Sequence, residues 1–115
     1  MISIPKLLEE LEILPDQIRQ AELDYVKAES DKENAKLKYD VTLGMALVAS
    51  KRGNATEKKS DAIIISEKTA TELIGTEYKL AKKKAEFNYL TNKFIAYRKI
   101  SSIKEKTMQA DGSGF

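Results

Sequence analysis

Cysteine, histidine and tryptophan are all absent from this 115-residue chain, and proline occurs only twice. Without cysteine there are no disulfides, no thiolate nucleophiles and no cysteine-ligated zinc or iron–sulfur sites, a composition that suits a reducing cytosol. Without histidine the Ser–His and Cys–His catalytic pairs are excluded, together with the commonest metal ligand. Long apolar runs are missing as well. The longest, Met45-Ala46-Leu47-Val48-Ala49, is far short of the roughly 20 residues that span a bilayer. The start, Met1-Ile2-Ser3-Ile4-Pro5-Lys6, has neither the basic nor the apolar region of a signal peptide. The expectation is a soluble cytoplasmic protein with no membrane partner.

What is present is charge, at 33% of residues, and it is unevenly placed. Residues 1–50 carry six Lys/Arg against ten Asp/Glu, a balance of −4, and residues 51–115 carry fourteen against eight, a balance of +6. Such a field suits self-association or an anionic partner. Glycine is also scarce, with five residues, and the abundance of Ala, Lys, Glu and Leu predicts an all-α chain. Leu7, Leu8, Leu11 and Leu14 recur at helical spacing and predict a short helix over about 4–13, ended at Pro15 because the ring disfavours a helical Leu14. A second helix, about 16–50, carries a heptad-like track through Ile18, Ala21, Tyr25, Ala28, Lys32, Ala35, Tyr39, Thr42, Ala46 and Ala49.

Lys51-Arg52-Gly53-Asn54 interrupts that pattern. Asn54-Ala55-Thr56-Glu57 then reads as a capping box, with Ser60-Asp61 as a second possible start, for a helix of about 57–108. The β-branched Ile63-Ile64-Ile65 runs straight into helical flanks, so helix is expected there too. Leu73, Ile74, Tyr78, Ala81, Ala85, Leu90, Phe94, Tyr97, Ile100 and Ile103 are its apolar positions, and residues 109–115 read as a disordered tail. The fold expected is one helical domain over 1–108, a long antiparallel hairpin with a short leading helix. Two such rods, each roughly 50 Å long, cannot bury all their apolar surface on each other, which implies a homo-oligomeric bundle or ring.

Candidate chemistry is sparse. The carboxylate pairs Glu9-Glu10 and Asp31 with Glu33 lie in strongly charged helix surface, which offers none of the desolvation that a general acid needs. Gly44, Gly53 and Gly75 are isolated, so there is no phosphate loop. No catalytic residue, metal ligand or cofactor is assigned. The basic features carry more information. Lys79, Lys82, Lys83 and Lys84 fall within about two helical turns, and Arg98, Lys99, Lys104 and Lys106 follow. Tyr78, Phe87, Tyr89, Phe94 and Tyr97 are interleaved with them. Cations that neutralise phosphates and aromatic faces that stack bases are what sequence-independent single-strand binding requires, although aromatics at helical spacing are more often core. Lys36 and Lys38 flank Leu37 on the preceding helix, and Lys51 and Arg52 sit at the turn.

The segment Ala35-Lys36-Leu37-Lys38-Tyr39-Asp40, four residues before Gly44, resembles the basic segment of the recombination mediators of T4-type phages, the UvsY-like family. Length, hairpin layout, the step Lys59-Ser60-Asp61 after the polar turn and the basic C-terminal helix extend the likeness coarsely over residues 20–112. The turn is shorter here, and Lys38 stands where an Arg would match more closely. The resemblance implies a non-enzymatic homo-oligomer that binds single-stranded DNA, weakens the hold of single-strand-binding protein and helps to load a RecA-type recombinase, in the host cytoplasm if phage-encoded. It makes Lys36 and Lys38 the DNA-contact candidates, with Lys51 and Arg52 beside them and Lys82, Lys83 and Lys84 as secondary ones. It gives the C-terminal helix, through Phe87, Leu90, Phe94, Tyr97 and Ile100, to oligomerisation. The competing expectation is a coiled-coil structural or adaptor protein, such as a phage assembly factor, with no nucleic-acid role.

Overall fold

The computed structural model describes residues 2–50 and 53–113, with side chains as far as residue 107. Helices α1 (Ile4–Ala49), α2 (Ala55–Ile65) and α3 (Glu67–Ser113) account for nearly all of them, and no strand occurs among the described residues. No helix among them is long and apolar enough to cross a membrane.

Ser3 begins α1 as expected. Its hydroxyl accepts from the Lys6 amide at 3.3 Å and its carbonyl from the Leu7 amide at 2.9 Å. Pro15, however, lies inside α1 and does not end it. The two short-range expectations, a helix of about 4–13 and another from 16, merge into one element of 46 residues. The cause is burial. Leu7 and Leu14, seven residues apart on one face, are both fully covered, and Ala21 continues the row, whereas Pro15 is exposed. A break before Pro15 would swing one of the two leucines away from its cover, and that loss outweighs the missing Pro15 amide.

The chain divides into two compact units. The first, Met1–Asp24 with Lys84–Phe115, pairs the beginning of α1 with the end of α3. The pairing is antiparallel: the Lys104 ammonium donates to the Ile2 carbonyl at 3.0 Å, while Lys93 reaches Glu10 at 3.3 Å. The Glu10 carboxylate raises the pKa of Lys93 above its ordinary value of 10.5, chiefly through this hydrogen bond and against a smaller opposing desolvation. Lys93 also lies over the Tyr97 ring and Arg98 over that of Phe94.

In the second unit, Tyr25–Lys83, the end of α1 packs on α2 and the start of α3. Asn54 caps α2 as the sequence indicates, its side-chain oxygen accepting from the Glu57 amide at 2.7 Å. The buried residues here are small, namely Ala28, Ala46, Ala62, Ser66 and Thr69. Every position of the expected α1 track from Ile18 to Ala46 is covered at least in part, and Ala49 is exposed.

The expected second long helix is divided at Ser66, whose ψ of 1° lies outside the helical range. The division is shallow, because the Ser66 amide still donates to the Ala62 carbonyl and the Ala70 amide to that of Ser66. Ser66 is completely buried, and its hydroxyl finds no hydrogen-bond partner among the described residues. An unpaired buried hydroxyl retains its desolvation cost. Ser66→Ala is therefore expected to raise stability by about 1 kcal/mol, read as a higher denaturant midpoint at unchanged slope. A lower midpoint would show that the hydroxyl is engaged after all.

At its far end α3 continues to Ser113, into the stretch from Gln109 that the sequence reads as a disordered tail. No strong helix breaker precedes Gly112, so nothing local stops the helix at 108. Gly114 and Phe115 lie outside the described residues.

Candidate nucleic-acid interface

Side chains two positions apart on a helix point about 200° away from each other. Lys36 and Lys38 accordingly leave α1 on opposite flanks of its covered row. Lys36 is exposed and makes no ion pair among the described residues. Lys38 turns to α3, where its ammonium reaches a Glu72 carboxylate oxygen at 3.3 Å with both side chains well exposed. The two lysines are thus not assembled into one cluster within a chain. A surface pair of this kind contributes little to stability and exchanges readily for another anion. Lys51 and Arg52 lie outside the described residues.

On α3, Lys82 and Lys84 are exposed, as are Lys79, Lys99 and Lys106, and none of the five has an ion-pair partner among the described residues. Lys83 differs. It is half-buried and already engaged. The aromatic residues separate into two sets. Phe87, Phe94 and Tyr97 are half-buried, as are Leu90 and Ile100, on the side of α3 that covers the start of α1. Those five side chains, which the sequence reading gives to oligomerisation, spend much of their apolar surface within the chain. Tyr78 and Tyr89, by contrast, are 74% and 64% exposed.

The α3 positions read from the sequence as one apolar series therefore occupy two faces. Leu73, Leu90, Phe94, Tyr97 and Ile100 turn inward, while Ile74, Tyr78, Ala81, Ala85 and Ile103 face outward. Sequence reasoning missed Glu72 as the residue that holds Lys38. On α1, Leu37, Val41 and Val48, which widen the apolar surface in the sequence, are exposed and form an outward row of their own. Strict seven-residue counting from Ala28 and Tyr25 separates that row from the covered one.

No family model matches the chain, and no curated protein or solved structure is matched by it.

Proposed function

We propose that the protein is a non-enzymatic, homo-oligomeric mediator of recombination that binds single-stranded DNA through lysines repeated from subunit to subunit. The observation that supports this best is a group of exposed cations with no ion pair among the described residues, which includes Lys36 on α1 and Lys79, Lys82, Lys84, Lys99 and Lys106 on α3. Exposed Tyr78 and Tyr89 lie on the same helix. Cations without internal partners can exchange their counterions for phosphates, and exposed aromatic rings can stack bases of any sequence. The loading of a RecA-type recombinase and the displacement of single-strand-binding protein rest on the resemblance of the segment around Lys36 and Lys38 to UvsY-like mediators.

A chain that presents Lys36 and Lys38 on opposite flanks offers one strand a single direct contact. Repetition in an assembly multiplies it, with gains that reach ~10²–10⁴ over an isolated contact. Lys36→Ala with Lys38→Ala is expected to leave helicity unchanged, and it is compared with the wild type at a concentration where the two assembly masses are equal. The same pair should lower affinity for an oligothymidylate at least ~10-fold and flatten its salt dependence, because fewer counterions are released. Replacing Lys82, Lys83 and Lys84 by Ala should have the smaller effect. A greater loss from that triple variant would move the contact to α3 and count against the resemblance. The unpartnered aliphatic face of α1 favours a second reading, a coiled-coil adaptor. Wild-type protein with no salt-sensitive binding to single strands would establish that reading instead.

A further inference from the structure

The face of α1 turned away from its covered row carries a second heptad. Within the unit Tyr25–Lys83, Lys27, Asn34, Val41 and Val48 form one row at seven-residue spacing, and Ser30, Leu37 and Gly44 form the other. All seven are exposed, with Leu37 at 64%, Val41 at 50% and Val48 at 88%. Two such rows, offset by three and four residues, are the pattern by which one helix faces another in a two-stranded coiled coil.

Gly44 is a separate observation on the same face. It lies inside α1 without a positive φ, and a Cβ built there would meet nothing within 4 Å. No contact among the described residues requires a residue that forms helices so poorly. Close approach of a second backbone would explain it.

We propose that this face pairs with the same face of a second copy of the chain, in parallel and in register. The row chemistry points to self-pairing. Asn34 meets Asn34 of the partner subunit, and a single amide at this row is the device that fixes parallel two-stranded register. Val41 and Val48 meet their own counterparts, and β-branched residues in that row favour two strands. On the flanks, Glu33 lies opposite Lys38 of the partner subunit, and the symmetry supplies that attraction twice. Lys38 already holds Glu72 at 3.3 Å, and its three ammonium hydrogens allow a second carboxylate. The antiparallel register that overlaps residues 27–44 would instead set Glu33 against the partner subunit's Asp40, a like-charged pair, and Asn34 against the partner subunit's Leu37, each twice, which its attractive pair of Asp31 with Lys38 offsets only in part. Lys27 is the one layer that opposes the parallel arrangement, and it stands at the end away from the aliphatic half. This inference deepens the homo-oligomeric part of the proposed function and does not depend on DNA.

The absence of native cysteine makes the geometry directly readable. Val41→Cys and Val48→Cys, each alone in the full chain, are expected to form interchain disulfides under mild oxidation, since in-register positions of this row lie close enough to bridge. An antiparallel pair would leave each of these cysteines unbridged and would cross-link a mixture of the Lys27→Cys and Gly44→Cys chains instead. That outcome overturns the proposal. Val41→Asp, at an exposed position, should keep the helical circular dichroism while weakening dimerisation at least ~10-fold in sedimentation. A wild-type chain that stays monomeric across the micromolar range also overturns it. Salt-dependent single-strand binding by such a monomer would leave the DNA reading standing, and a cross-linked dimer that ignores DNA would do the reverse.

Discussion

Leu14→Ala is expected to lower the stability of the protein by about 2–5 kcal/mol, the range for emptying a fully buried leucine site. Leu14 has no exposed surface, and among the other described large apolar side chains only Leu7 is buried to a similar degree. These two leucines bear on the unit built from Met1–Asp24 and Lys84–Phe115. The α3 side chains of the same unit, such as Phe87, Phe94 and Tyr97, are only half covered and so offer less burial apiece. A cavity at Leu14 also weakens the reason for α1 to continue through Pro15, and the damage should spread toward residue 4. Urea unfolding followed by helical circular dichroism measures the loss. A midpoint within experimental error of the wild type would contradict the burial described.

Pro15→Ala is expected to act in the opposite direction, raising stability by up to about 3 kcal/mol. In α1 the proline deprives the Leu11 carbonyl of its ordinary donor, and the ring crowds that carbonyl. Because Pro15 is exposed, alanine there removes no core contact and restores the backbone hydrogen bond. The thermal midpoint should rise by roughly 10 °C, taking about 4 °C per kcal/mol for a domain of this size. An unchanged or lower midpoint would mean that the chain is turned at Leu14, as the rule for a residue before proline anticipates.

That contest explains much of what could and could not be read from the sequence. The all-helical class follows from scarce Gly and Pro and abundant helix formers, and the cap at Asn54 follows from four consecutive residues. The α1 track was legible because its small side chains repeat at three and four. Pro15 departs from its sequence expectation because the local steric rule takes no account of the burial of Leu7 and Leu14. Ser66 was missed because a single serine after three isoleucines carries no distinctive pattern. On α3, two apolar faces overlap within one stretch of sequence, and only strict seven-residue counting separates them. Lys36 and Lys38 diverge by simple helical geometry, whereas the pairing of Lys38 with Glu72, 34 residues away, exists only once the helices are packed.

Helix α2 has its own place in the energetics of the molecule. It spans 11 residues, fewer than the roughly 12–15 at which an isolated helix becomes marginal in water, and Ala62 is its only buried residue. Its support comes from its two ends, the Asn54 cap and the hydrogen bonds through Ser66. Transient opening of α2 uncovers little further apolar surface, so it requires only a fraction of the free energy of global unfolding. The segment so released contains Ile63-Ile64-Ile65, three β-branched residues that are as ready to join an extended strand as a helix. Lys59 and Asp61 on one side, and Glu67 and Lys68 on the other, enclose that triplet with charge. In the briefly opened chain they act as gatekeepers against strand-to-strand aggregation.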